Sequence, residues 1–176
     1  VGADLEVVTE AFGTLEASNG RGQRHQLAVG SGSFTLIDES YNANPASMRA
    51  ALALLGMSDP GVGGRRIAVL GDMLELGEEA PRLHADLASA VDDANADIVY
   101  ACGPGMAHLW DALTETRRGV YAEASDGLEP ALLDEVGAGD VVMIKGSLGS
   151  RMGPLVEALC AKHKPHGDGL ARGTQR

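Results

Sequence analysis

Short apolar segments alternate along the chain with longer segments whose apolar residues recur at helical spacing. Residues 141–144 show no alternation of apolar and polar side chains, which is typical of a strand covered on both faces, as in a parallel sheet flanked by helices. In residues 81–94, leucine, alanine and valine recur at helical spacing while aspartates fall on the opposite side. The pattern predicts six strands, at residues 26–29, 34–37, 67–70, 98–101, 120–122 and 141–144. It predicts five helices, at residues 45–55, 81–94, 105–115, 127–136 and 153–162.

The order of these elements indicates the fold class. Strands that alternate with helices are the signature of repeated βα units, in which right-handed crossovers join parallel strands. The first two strands are separated only by a Gly-Ser-Gly turn at residues 30–32, which predicts a hairpin and therefore an antiparallel strand at one edge. The sequence thus predicts an α/β fold with a mostly parallel sheet of about six strands, flanked by helices, and one antiparallel edge strand.

The two ends of the chain depart from this pattern. The chain opens on Val1 within a helical pattern whose apolar positions run from Leu5 to Leu15, which favours a fragment cut from a longer protein. Residues 164–176 contain three glycines and one proline and have almost nothing to bury, so we expect a disordered tail there.

Charge and cysteine usage exclude several classes of protein. The chain has 14 Lys and Arg against 25 Asp and Glu, a formal net charge of −11, whereas a nucleic acid or an anionic membrane must be met by a basic face. Cys102 and Cys160 lie in apolar segments and are too few for a disulfide framework or a zinc site, so we expect both to be reduced and buried. No segment reaches the roughly 18 apolar residues of a membrane span, and the first residues lack the order of a signal peptide. A cytoplasmic location is expected.

In open α/β sheets, ligands bind beyond the carboxyl ends of the strands, and the loops there are unusually polar. In the first of them, Asn44 precedes a proline and fits a helix cap. Capping does not explain Asp38, Glu39, Tyr41 and Asn42. Carboxylates can accept hydrogen bonds from ribose hydroxyls, and amides and phenols can orient a polar substrate. The loop is therefore either a solvated helix start or a ligand site.

Three further positions carry candidate chemistry. Asp72 and Glu75 follow the third strand, as a solvated acidic turn or as ligand-binding groups. Lys145 leaves the most buried strand for a Gly- and Ser-rich turn, where a lysine and backbone amides can hold a carboxylate or phosphate; the lysine precedes the glycines, so the turn is no Walker A loop. Arg21, flanked by glycines, is either a solvated linker residue or a phosphate ligand. The sequence contains no recognisable catalytic constellation, which favours a binding half-site.

Four blocks of sequence together resemble the C-terminal domain of the Mur ligases. They are Gly20-Arg21, the segment from Leu36 to Met48 with its Ser-Tyr-Asn-Ala-Asn-Pro core, the segment Gly-Asp-Met-Leu-Glu-Leu-Gly at residues 71–77 with His84 following, and Lys145-Gly146-Ser147. The resemblance covers nearly the whole chain from residue 20 and extends to the branch that joins D-Ala-D-Ala to UDP-N-acetylmuramoyl-tripeptide in bacterial peptidoglycan synthesis.

The resemblance implies an ATP-dependent amide-bond ligase of the cytoplasm, in which a substrate carboxylate is activated as an acyl phosphate and then attacked by an amine. It implies three domains, of which residues 1–19 end the central one and residues 20–163 form a Rossmann-like C-terminal one. The P-loop and the Mg²⁺ ligands belong to the central domain, so the resemblance assigns no catalytic residue and no metal ligand to this chain. We expect a monomer whose partners are ATP, the tripeptide precursor, D-Ala-D-Ala and its own other two domains.

The resemblance also assigns roles residue by residue. Residues implied to bind ATP, with an arginine at the phosphates and a carboxylate at the ribose, are Arg21, Asp38, Glu39, Tyr41, Asn42 and Asn44. Residues implied to face the amine-donor pocket are Asp72, Glu75, Lys145 and Ser147. The chain departs from the commoner family pattern at Glu39, often Asp, and at residues 148–153, where an arginine directly after Lys-Gly-Ser is frequent.

A second hypothesis comes from a different class. A free-standing α/β binding or regulatory module, related to receiver or flavodoxin-like domains, would also place acidic loops at the strand ends. Those loops would then bind a cation or a partner protein.

Overall fold

The computed structural model describes residues 20–166 and contains six strands and six helices in that range. The strands are β1 (Gln23–Val29), β2 (Gly32–Glu39), β3 (Arg66–Gly71), β4 (Ile98–Cys102), β5 (Arg118–Ala122) and β6 (Val141–Lys145). The helices are α1 (Pro45–Met57), α2 (Ala80–Ala85), α3 (Leu87–Asp93), α4 (Met106–Ala112), α5 (Glu129–Glu135) and α6 (Gly153–Lys162). Short 3-10 turns occupy Gly77–Glu79, Glu115–Arg117, Ser125–Leu128 and Leu148–Ser150.

All six strands form one sheet in the order β1-β2-β6-β3-β4-β5. β1 pairs with β2 in antiparallel register through a two-residue turn, in which Gly30 adopts a positive φ of 56°. The other four pairs are parallel. The prediction of a mostly parallel six-stranded sheet with one antiparallel edge strand is therefore confirmed.

Helices cover both faces of the sheet, as the lack of alternation in β6 predicted. Alternate residues of the central strands, such as Met143, pack with apolar residues of α1, α3 and α4. The residues between them, such as Val142 and Ile144, pack with α5 and α6 on the opposite face. Every residue of β6 is buried, and that includes the lysine at its end. No helix between residues 20 and 166 has the length and apolar character to cross a bilayer.

The prediction of a single helix at residues 81–94 is wrong, because the chain forms α2 and α3 there, with a break at Asp86. The carbonyl oxygen of Asp86 accepts hydrogen bonds from Ser89 Oγ (3.0 Å) and from the guanidinium of Arg49 on α1 (3.2 Å). Such side-chain donors compete with the helix for a backbone acceptor. A contact from a distant helix thus interrupts a pattern that is locally continuous.

The predicted disordered tail is wrong for its first three residues. Lys164 O accepts a hydrogen bond from Ala28 N (2.8 Å), and His166 N donates to Gln26 O (2.8 Å), so this segment pairs with β1. An edge strand has free backbone groups that a neighbouring segment can satisfy, and this pairing needs few apolar side chains. Residues 167–176 lie outside the described residues, as do residues 1–19 with the helical pattern predicted among them.

Candidate functional site at the carboxyl edge of the sheet

Three of the predicted loops meet at the carboxyl ends of β2, β6 and β3, which are neighbours in the sheet. Ser147, just after β6, connects them. Its backbone N donates to Asp72 O (3.0 Å), while its Oγ accepts from Leu74 N (3.0 Å) and donates to Ala43 O (3.4 Å). Ser147 is buried. It was predicted to face a substrate, and the structure shows it holding together the loops that surround the site.

Asp38, at the end of β2, is also buried, and both of its carboxylate oxygens are used. One accepts from Gly20 N (2.9 Å) and the other from Ser40 N (3.0 Å). Gly20 has a φ of +75°, and a Cβ on it would lie 2.7 Å from Tyr41 Cβ, so only glycine fits this crossing. Asp38 therefore holds the segment that carries Arg21 against the loop that carries Tyr41.

Exposed polar side chains gather beside this crossing. The guanidinium of Arg21 lies 4.7 Å from the centroid of the Tyr41 ring, within the range of a cation–π contact. Tyr41 is 46% exposed, Asn42 is exposed, and Glu39 is half-buried. We call Arg21, Glu39, Tyr41 and Asn42 the exposed group. It presents a cation, a carboxylate, a phenol and an amide to a ligand, which suits phosphate and ribose hydroxyls.

Lys145, predicted to face the amine-donor pocket, is turned inward. Its Nζ donates to Asn42 O (2.8 Å) and lies 3.5 Å from Glu39 Oε2, with the side chain only 3% exposed. Burial lowers the pKa of Lys145, and the nearby Glu39 carboxylate opposes that effect. The lysine thus orients the loop after β2 and sets the position of Glu39.

Asp72, at the end of β3, accepts hydrogen bonds from Met106 N (2.8 Å) and Gly105 N (3.2 Å) at the start of α4. This is a favourable place for a carboxylate, since the N-terminus of a helix carries unpaired N–H groups and a partial positive charge. The carboxylate is mostly buried. Asp72 therefore links β3 to α4.

His84, whose role the sequence did not suggest, fixes the loop after β3. Its Nε2 accepts from Met73 N (3.0 Å), so Nδ1 carries the proton and donates to Ala80 O (2.7 Å). Glu75, in the same loop, is exposed and adopts a positive φ of 62°. The loop is held by buried contacts and presents Glu75 to solvent.

Asn44 caps α1. Its Oδ1 accepts from Ser47 N (2.8 Å), and Ser47 Oγ accepts from Asn44 N (3.0 Å), which completes a capping box. The side chain is exposed. The sequence left Asn44 either as a helix cap or as a ligand-binding residue, and the capping box accounts for its position.

Two clefts open along this edge. The first has a volume of about 490 Å³ and lies between the ends of β3, β4 and β5 and the loop after β6; its lining includes Asp72, Pro104 and Arg151. The second, of about 500 Å³, lies between β1, β2 and α6; its lining includes Tyr41, Asp38 and again Arg151. Both volumes fall in the range of roughly 300–1,000 Å³ that is usual for small-molecule sites. No sequence motif singled out Arg151, because its position between the clefts depends on the tertiary fold.

Potential metal ligands are dispersed over the described part of the chain. Within residues 20–166, no three His, Cys, Asp or Glu side chains converge as metal ligands. The carboxylates of Asp38 and Asp72 already accept backbone hydrogen bonds.

An α/β domain with ligand-sized clefts and polar loops at the carboxyl edge of its sheet defines a class of small-molecule-binding domains. Comparison with known families is more specific: residues 20–148 match the Mur ligase glutamate ligase domain. The chain belongs to the Mur ligase family.

Two relatives that match over most of the chain carry the same name. A UDP-N-acetylmuramoyl-tripeptide–D-alanyl-D-alanine ligase of Mycobacterium leprae is 34% identical and covers 97% of this chain, and one of Synechocystis is 34% identical and covers 85%. The aligned parts are 35% and 32% of those relatives. The chain thus spans about a third of the length of the curated relatives that it matches.

Solved structures share the fold. A crystal structure of MurF from Acinetobacter baumannii aligns with a TM-score of 0.74 at 24% identity, covering 91% of this chain and 34% of that one. MurF from Thermotoga maritima in complex with ADP aligns with a TM-score of 0.67 at 23% identity, covering 89% of this chain and 36% of that one. At these identities the likeness supports the fold.

Proposed function

We propose that this chain is the C-terminal domain of an ATP-dependent ligase that joins D-alanyl-D-alanine to UDP-N-acetylmuramoyl-tripeptide in peptidoglycan synthesis. The observation that carries the proposal is the alignment of 97% of the chain with a relative of that name. The domain supplies binding groups for ATP and for the amine donor, and the rest of the ligase supplies the tripeptide site, the Mg²⁺ ligands and the phosphate-binding loop. The ligase acts as a cytoplasmic monomer and binds neither nucleic acid nor membrane.

The exposed group is the proposed nucleotide side of the site. Arg21 is held by the Asp38 crossing at a place where its guanidinium can reach a phosphate, and Tyr41 stacks beneath it. Of the carboxylate pair proposed for the ribose, Glu39 is the more accessible, with its side chain 23% exposed, because Asp38 is buried and hydrogen-bonded to the backbone. A chain with a net charge of −11 must meet ATP with local cations, and Arg21 is one of them.

The first cleft is the proposed amine-donor side. Its walls come from the loops after β3, β4 and β6, and the buried contacts of Ser147 and Asp72 keep those loops in place. Closure of the domain over the acyl phosphate would exclude water, which otherwise hydrolyses such an intermediate. Asp72, Ser147 and Lys145 act in this proposal by shaping the site.

The alternative, a receiver-like or flavodoxin-like module, gains no support from the geometry. Cation binding in such a module would depend on the carboxylates at the strand ends, and Asp38 and Asp72 each accept two backbone hydrogen bonds instead. The acidic loops hold the protein's own backbone.

The proposal is tested with the full-length protein that contains this chain. It is mixed with ATP, UDP-N-acetylmuramoyl-tripeptide and D-Ala-D-Ala, while phosphate release and the mass of the UDP-linked product are measured. We expect a product whose mass exceeds that of UDP-N-acetylmuramoyl-tripeptide by the mass of D-Ala-D-Ala minus one water. It should form only when all three substrates are present. No ligation contradicts the proposal, as does ligation of a single amino acid but not of the dipeptide when each is supplied in turn. The 176-residue chain alone is expected to release no phosphate.

A further inference from the structure

Arg151 lies where the first and second clefts meet, and it has no role in the proposed function so far. It follows the 3-10 turn Leu148–Ser150 and adopts a left-handed backbone conformation, with φ 54° and ψ 46°. Residues other than glycine rarely adopt this conformation, which is found where the surrounding structure fixes it. Arg151 N donates to Leu148 O (3.1 Å), and Arg151 O accepts from Ser125 Oγ (2.9 Å). The backbone of Arg151 is therefore fixed from two sides.

The side chain of Arg151 is exposed. In the part of the chain from residue 20 to residue 166, the contacts found for Arg151 run through its backbone, so its guanidinium can meet a ligand. The other cation at the centre of this edge, Lys145, is buried against Glu39 and Asn42 O. Arg151 is thus the cation that the first cleft presents.

The remaining lining of the first cleft limits which anion can bind there. Glu123 and Asp126 are exposed at its rim, and Glu129 is partly exposed beside them. With Asp72, which is hydrogen-bonded to the start of α4, the lining holds four carboxylates. They repel a polyanion such as a triphosphate, whereas a zwitterion carries no net charge and can present its carboxylate to an arginine. Pro104 and Leu155 add apolar walls that suit small aliphatic side chains. A short peptide with a free carboxyl end and small side chains fits this composition.

We propose that Arg151 binds the terminal carboxylate of the amine-donor dipeptide in the first cleft and so selects a donor with a free carboxyl end. This inference rests on the proposed function and adds the residue that recognises the non-reacting end of the donor. The donor's amine reacts and its carboxylate does not, so the carboxylate keeps its charge throughout the reaction. A guanidinium matches that group with two parallel hydrogen bonds. Ser125, which fixes the backbone of Arg151, is the corresponding positioning residue.

The test compares Arg151→Gln with the unsubstituted full-length ligase, using D-Ala-D-Ala and D-Ala-D-Ala amide, in which the carboxylate is replaced by a carboxamide. In the unsubstituted protein we expect the amide to lower kcat/KM by about 10- to 100-fold, the range of a lost hydrogen bond between charged groups. Arg151→Gln is expected to raise the KM for D-Ala-D-Ala by a similar factor and to discriminate little between the two dipeptides. Its KM for ATP should stay within about twofold of that of the unsubstituted ligase. Arg151→Lys restores part of the preference.

The matched control is Arg24→Ala, which removes an exposed arginine on β1 whose guanidinium reaches Ser58 Oγ at the C-terminal end of α1; it is expected to keep the preference for the carboxylate. Equal discrimination by Arg151→Gln and the unsubstituted protein overturns the inference. A raised KM for ATP in place of the dipeptide KM also overturns it and assigns Arg151 to a phosphate. The comparison of the two dipeptides by the unsubstituted protein requires no variant to fold. If that protein ligates neither dipeptide, the proposed function itself fails.

Discussion

At the scale of single residues, the acidic side chains of the site divide into two kinds. Asp38 and Asp72 are buried and accept backbone hydrogen bonds, whereas Glu39 remains partly open to solvent. The difference arises from what lies opposite each carboxylate. Asp72 meets the N-terminus of α4, more than thirty residues further along the chain.

The types of the site residues could therefore be predicted from the sequence, but their orientation could not. A polar residue at a strand end has the same local signature whether it faces solvent or a backbone amide of a distant loop. Lys145 shows this well, because its inward position depends on Glu39 and on Asn42 O, which are about a hundred residues away. Arg151 had no local signature that marked it.

Asp72→Asn is expected to destabilise the fold. The amide retains one acceptor and places N–H groups against the N-terminus of α4, so at least one backbone donor loses its partner. The expected loss in the free energy of unfolding is about 1–3 kcal/mol, measured by urea denaturation. Asp93→Asn, at an exposed position at the end of α3, is the control and should change stability little. Equal stability of the two variants would show that the Asp72 contacts contribute nothing.

Arg21→Ala is expected to weaken nucleotide binding by the full-length ligase. A partly solvated hydrogen bond between charged groups contributes about 1 kcal/mol, so the KM for ATP should rise about fivefold. The KM for D-Ala-D-Ala should stay nearly constant. Steady-state kinetics with each substrate varied in turn measures both values. An unchanged KM for ATP would show that Arg21 does not bind a phosphate and would favour the other interpretation, a solvated linker residue.

The buried thiol of Cys102 is expected to make the stability of the fold depend on pH in the alkaline range. Burial raises the pKa of its thiol to about 12, with smaller contributions from Asp72 and Asp126. Between pH 9 and 12 the unfolded chain loses this proton and the folded chain keeps it, so the stability falls as the pH rises, by at most about 1.4 kcal/mol per pH unit. Cys102→Ala should make the dependence shallower in urea titrations at pH 8 to 10.5. An identical slope in both proteins would rule out this contribution.

At the scale of elements, the strands were easier to predict than the helices. All six strands lie where apolar segments predicted them, extended by a residue or more at one or both ends. The helix predicted at residues 81–94 divides at Asp86 because Arg49 and Ser89 take its carbonyl oxygen. The helical pattern there reports burial correctly, but it contains no information about a donor from α1.

The start of α1 gives a prediction for a whole element. Asn44→Ala removes the capping box formed with Ser47, and the free energy of unfolding is expected to fall by about 1 kcal/mol. Asn44→Asp keeps an acceptor at the cap and should retain most of the stability. Thermal and urea denaturation of both variants measures the difference. If the Asp variant is as unstable as the Ala variant, the cap does not account for the effect.

At the scale of the whole molecule, the net charge of −11 is compatible with a nucleotide ligand because the charge is distributed unevenly. Arg21 lies beside the second cleft and Arg151 between the two clefts. Separate cations allow two anionic ligands, a nucleotide and a carboxylate, to bind at one sheet edge.

The exposed group at the carboxyl edge is proposed to bind the nucleotide, with only part of the site present on this chain. The proposal can be tested by titrating the isotopically labelled 176-residue chain with ADP and following the backbone amides by two-dimensional NMR. We expect shift changes at Arg21, Glu39, Tyr41 and Asn42, with a dissociation constant above micromolar. Shift changes confined to the opposite edge of the sheet, around Val62 and Asp97, would contradict nucleotide binding by the exposed group, as would no changes at millimolar ADP. A sub-micromolar affinity would show that the site on this chain is not partial.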